Sequence, residues 1–204
     1  STMRLPPFNI DARPFDAGLW LIAGASVLMT LSSLWTWHKV DQLTTSCFLD
    51  IVGNLLVMLG SVLLMDDPSV EGVSVAIVGA VMFVAEAAMF ERGLGWTAFS
   101  FCFVAGTVLM SASFFVMWLN ARQLPSRTLE PMVSYLMLAA GGLLVVATLT
   151  SLKHFELHIS ILLTLAGSIC ITVAGWVWAS RCAPGAAGGY GNPDYRQQST
   201  TYTQ

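Results

Sequence analysis

The chain has 204 residues, 55% hydrophobic and only 10% charged, with a formal net charge of −3 and a mean hydropathy of +0.70. A soluble domain carries about 25% charged residues, so this composition describes an integral membrane protein and leaves no room for a catalytic domain outside the bilayer. No basic run points to nucleic acid, and the expected partners are the lipid bilayer and other membrane subunits or further copies of the chain.

Residues 1–16 read as an N-terminal cytoplasmic segment. Their opening, STMRLPP, has no apolar core and predicts no signal peptide. Six apolar windows follow, near 17–37, 47–65, 72–90, 96–119, 132–150 and 159–180. Each is close to the ~20 residues that a hydrocarbon core of ~30 Å requires. The fold class predicted is all-α: a polytopic membrane protein with six transmembrane helices. Trp20, Trp35, Trp37, Trp96, Trp118, Trp176 and Trp178 all fall near window ends, where amphipathic rings prefer the headgroup zone. Pro14, Pro68, Pro125, Pro131 and Pro184 lie outside the windows or at their edges, as continuous helices require.

The two halves resemble each other. VLM at 27–29 matches VLM at 108–110, and Trp37 then falls on Trp118. Gly53-x-Leu-Leu-Val matches Gly141-x-Leu-Leu-Val at a shift of 88, which also carries Gly79 onto Gly167. The reading is a three-helix unit at 17–90 repeated at 96–180, and an odd number of spans makes the repeat inverted. Inverted repeats recur in transporters, although no window here has an internal proline.

Within the first unit, small residues recur every seven positions: Ser46, Gly53 and Gly60 in the second helix, then Gly72 and Gly79 in the third. Such stripes let two helices approach closely. The turn Asp66-Asp67-Pro68-Ser69 makes the pair antiparallel, setting Gly60 against Gly72 and Gly53 against Gly79, with Gly141 against Gly167 as the expected counterpart. GNLLVMLGSVLL, a short polar turn and GVSVAIVGAVMF together resemble the two-helix YrhK-like membrane domain over residues 46–90, with a fainter copy at 134–178. That resemblance implies a compact helical hairpin and no transferable activity.

The third helix continues its glycine stripe with Glu86, a carboxylate where the pattern asks for the smallest side chain. Asp50 should lie within about two turns of it across the hairpin. An ionisable group inside a span is a functional candidate by default, and two together would share a proton or bind a cation. The competing reading is neutralisation by His38, Lys39 or Arg92 on the same side. A shift of 88 replaces the carboxylates by Leu138 and Ala174, so the hairpin as such does not require them.

His154 and His158 flank Glu156, and one such pair falls short of a metal site; no metal is expected and no cofactor is indicated. Cys182, beside Arg181, is a candidate for S-palmitoylation. The tail, 181–204, is rich in Gly, Ser, Thr, Gln and Tyr, a composition that buries no core. Within it, Tyr190, Asn192, Pro193 and Tyr195 resemble the aromatic-x-Asn-Pro-x-Tyr signal read by cytosolic adaptors. Six arginines on the N-terminal side, against Lys39, Arg92 and Lys153 opposite, place both termini in the cytoplasm.

The leading expectation is a non-enzymatic structural or accessory subunit acting through helix packing and its tail. The alternative is a small proton- or cation-coupled transporter or channel using Asp50 and Glu86.

Overall fold

Apolar runs of this length satisfy every backbone polar group within themselves only as helices, and among the described residues six form: α1 (Pro14–Val40), α2 (Thr45–Asp66), α3 (Val70–Leu94), α4 (Ala98–Ala121), α5 (Pro131–Ser151) and α6 (His158–Cys182). The structure, a computed structural model, describes residues 14–40, 45–66, 70–94, 98–121, 131–152 and 158–182. The tail signal Tyr190–Tyr195, His154 and Glu156 lie outside the described residues, as do the side chains of Lys39, Arg92 and Cys182. Pro14 and Pro131 open α1 and α5, at the one helical position where a missing N–H costs nothing.

Five helices contain segments long and apolar enough to cross a membrane: Asp16–His38, Thr45–Met65, Phe101–Leu119, Pro131–Ser151 and Ile159–Ser180. Their outward faces are apolar, with Leu31, Phe101, Leu162 and Trp176 exposed, while Ser61, Ser113, Ser134 and Asn54 are buried. That distribution suits hydrocarbon outside and protein within.

Each helix packs on its neighbours in sequence, and α1 packs on α6 to close the set into a ring. Helices joined in chain order run alternately up and down. This arrangement has a consequence for the expected inverted repeat. Viewed from the N-terminal end of α1, the path α1–α2–α3 turns in one sense around the ring. Viewed from the N-terminal end of α4, on the opposite face, α4–α5–α6 turns in the other sense. No rotation superimposes arcs of opposite hand, so the ring does not carry a 3+3 two-fold.

Glycines set the close crossings. An added Cβ would stand 2.6 Å from Gly53 O at Gly79, and 2.7 Å from Gly72 O at Gly60, so α2 and α3 meet backbone to backbone. In the second hairpin the partner differs from the one expected. Gly141 faces Thr172, 2.5 Å from its N, five residues along α6 from Gly167. Gly167 instead faces Ala25 and Met29 of α1, and the α5–α6 crossing is completed by Gly175 against Leu138. The shift of 88 aligned letters but missed the register, because Gly167 belongs to the seam that closes the ring.

At the end of the ring where α1 begins and α6 finishes, Leu19, Leu64, Phe114, Met137 and Trp178 fill the interior, each almost fully buried. Trp178 lies near the end of α6, as expected of the tryptophans, but its ring is turned into the bundle. Its indole lies over Gly18, where a Cβ would come within 2.0 Å of Nε1.

Candidate functional site

Toward the other end, where α1, α3 and α5 finish and α2, α4 and α6 begin, the ring encloses a cavity of about 240 Å³ lined by all six helices. Asp50 and Glu86 both line it. The α2–α3 hairpin brings the two carboxyls next to one another, Asp50 one turn from the crossing glycine Gly53 and Glu86 two turns from Gly79.

Each carboxyl is held by neutral donors. Asn54 Nδ2 donates to Asp50 Oδ1 at 3.0 Å and to the Asp50 backbone oxygen at 2.9 Å. Ser33 Oγ of α1 donates to Asp50 Oδ2. Ser46 Oγ donates to Glu86 Oε1 at 3.3 Å, the Glu86 and Asp50 carboxyls lie within hydrogen-bonding reach of each other, and among the described residues no neutral donor meets the buried Glu86 Oε2. A buried polar atom without a partner costs about 1–3 kcal/mol, more if charged, so Oε2 marks a place where a donor or a cation would bind.

Across the cavity, α1 and α6 are joined by hydroxyls. Ser32 Oγ lies 2.7 Å from Ser160 Oγ and 2.9 Å from Thr164 Oγ1, and Thr36 Oγ1 lies 3.0 Å from Ser160 Oγ. Deeper hydroxyls bond to their own helices: Ser26 to Ile22 O, Thr107 to Val104 O, Thr148 to Leu144 O and Ser168 to Thr164 O. A hydroxyl has one proton and two lone pairs. With the proton directed at a backbone carbonyl, what remains for the cavity is acceptor capacity. Asn54 is in the same position, its NH₂ being engaged by Asp50.

Among the described residues the lining includes no Lys, Arg or His, and Asp50, Glu86 and Cys47 are its titratable side chains. Of the bases weighed as neutralising partners, His38 is exposed and does not line the cavity. Among the described residues no group of three or more His, Cys, Asp or Glu gathers to hold a metal ion. Among the described residues the site is therefore rich in oxygen acceptors and poor in free donors, and suits a proton, an alkali ion or an ammonium group.

Sequence reasoning singled out Asp50 and Glu86 but missed Asn54, Ser33 and the hydroxyls opposite. One signal was available: Ser160, Thr164, Ser168 and Thr172 recur every four residues along an otherwise apolar helix, which is one face. Of the packing glycines named from sequence, Gly53, Gly60, Gly72 and Gly79 lie together in the α2–α3 crossing, whereas Gly141 and Gly167 are apart. No family model matches the chain, and neither a curated protein nor a solved structure matches it.

Proposed function

We propose that this chain is a six-span, non-enzymatic membrane protein that binds a cation between its helices and carries it across the bilayer. The reading favours the transporter alternative over the structural one, and a single observation carries it. Glu86 Oε2 is buried beside Asp50 and meets no neutral donor among the described residues, and the serine and asparagine donors at the two carboxyls are already engaged. Two carboxyls in one buried site repel when both are ionised, and a shared proton or a bound cation relieves the repulsion. A purely structural bundle has no use for such a pair.

The sixth span is α3, which packs between the spanning helices α2 and α4. The excess of arginines at the N-terminal side puts both termini in the cytoplasm, so the cavity sits in the non-cytoplasmic half. The plug of Leu19, Phe114, Met137 and Trp178 then separates it from the cytoplasm, as in one state of a carrier and not in an open pore. Because the ring lacks a two-fold, opening the other side would not be a rocking of inverted halves. The α1–α6 seam, closed by hydroxyl pairs, is the natural place for helices to part.

The test is uptake of potassium, sodium or methylammonium into liposomes containing the purified protein. Removing the charge that a buried cation meets costs roughly 3–5 kcal/mol, so Glu86→Gln and Asp50→Asn should each lower uptake by roughly a hundredfold or more. Uptake of all three cations that is equal in wild type and Glu86→Gln rejects the proposal.

A further inference from the structure

The cavity is longer than a simple ion requires. Ser33, which meets Asp50, and Ile22 at the floor both line it. They are eleven residues apart on α1, about 16 Å at 1.5 Å per residue. A simple metal ion needs only one shell of oxygens, six to eight at about 2.3–2.6 Å in the case of calcium, and the carboxyl end alone offers that kind of shell.

Below the carboxyls the wall changes character. Ile22 and Met29 of α1, Val57 of α2, Met110 of α4, Leu144 of α5 and Ile171 of α6 line the deeper part, and the hydroxyls of Ser26, Thr107, Thr148 and Ser168 among them spend their protons on their own backbones. A wall that is mostly apolar offers water few partners and favours apolar groups. A small ion would leave this volume unused.

We infer that the ligand is a primary amine with an apolar tail, its ammonium bound at Asp50 and Glu86 and its tail lying toward Ile22, Val57 and Ile171. The inference rests on the cation reading of the cavity and adds the chemical class of the cation. A primary ammonium brings three N–H donors and one charge. Among the described residues no neutral donor meets Glu86 Oε2, and the protons of Ser33, Ser46 and the Asn54 amide are already spent on Asp50 and Glu86 Oε1, which leaves their oxygens as acceptors. A quaternary ammonium carries the charge without the donors and leaves Oε2 unsatisfied. The primary amine alone matches both ends of the cavity.

The test uses the full-length protein in lipid nanodiscs, with saturable binding measured for methyl-, propyl- and hexylammonium, tetramethylammonium and potassium. Glu86→Gln serves as the background, because an alkyl chain also partitions into lipid. Each methylene buried contributes about fourfold in affinity, so hexylammonium should bind far more tightly than methylammonium until the tail meets the floor. Tetramethylammonium should not displace it. Ser26→Leu, which fills the floor without removing an interhelical hydrogen bond, should weaken hexylammonium while leaving methylammonium unchanged.

Affinity independent of chain length, with potassium or methylammonium bound in a Glu86-dependent way, overturns the tail and leaves the cation reading standing. A chain-length gain equal in wild type and Glu86→Gln is lipid partition and also overturns it. Loss of all saturable cation binding in the wild type removes both readings. Should Glu86→Gln fail to fold, Ser26→Leu against methyl- and hexylammonium decides the matter alone, equal effects on the two amines counting against the tail.

Discussion

Replacing Gly60 by Ala adds one methyl group at the crossing of α2 and α3. The new Cβ would stand 2.6 Å from Ala76 N, 2.7 Å from Gly72 O and 2.8 Å from Ala76 Cβ. Ordinary contact begins at 3.4 Å, so the helices must part by about 0.8 Å. Two of the three obstructing atoms are backbone and the third is the Cβ of an alanine, so no rotamer change gives relief. Overpacking of this kind costs typically ~1–3 kcal/mol. A gap of ~0.5–1 Å also forfeits a quarter to a half of the dispersion well along the seam, which points to the upper part of that range, about 2–3 kcal/mol. Gly24 is the control, since nothing lies within 4 Å of its added Cβ. Gly24→Ala should be neutral or stabilising by up to about 1 kcal/mol from helix propensity. Reversible unfolding in mixed detergent micelles, followed by far-UV circular dichroism, compares the two. If Gly60→Ala and Gly24→Ala agree within about 0.5 kcal/mol, the close-crossing argument for the α2–α3 hairpin is wrong.

Trp178→Ala should destabilise by about 3–5 kcal/mol in the same assay, because its ring is fully buried against Gly18; a loss under 1 kcal/mol would return this tryptophan to the membrane interface. Ser32→Ala removes the hydroxyl that meets Ser160 and Thr164 and should cost about 0.6–1.7 kcal/mol, the range for interhelical hydrogen bonds in bilayers. Cys47 lines the cavity whereas Cys170 does not; in single-cysteine variants a cationic methanethiosulfonate should label Cys47 faster, and hexylammonium should slow that labelling alone. Protons and cations compete for the same carboxyls, so cation affinity should fall as the medium is acidified, and an affinity that instead rises in acid would place the cation elsewhere.

Composition and periodicity are properties of single helices, and what they determine is visible in the chain alone. The low charge and the six apolar windows settle an all-helical, multi-pass architecture, with α1 to α6 falling on the windows to within a few residues. The seven-residue stripe through Gly53, Gly60, Gly72 and Gly79 pairs α2 with α3, because a three-residue connection makes them adjacent and antiparallel. That is also why Asp50 and Glu86 were found together. Contacts between helices far apart in sequence are not encoded in any stripe. The α1–α6 seam joins Ser32 to Ser160 across 128 positions, and only its closure makes a ring with an interior. Closure turned Gly167 toward α1, buried the Trp178 ring inside the bundle, and gave the two halves opposite hands where matching letters had suggested a two-fold. It also made a site of the carboxyls, by setting a wall of serine and threonine oxygens opposite them. A hydroxyl bonded to its own helix looks the same in sequence whether it faces lipid, a partner helix or a cavity, and only the tertiary arrangement assigns it to the last.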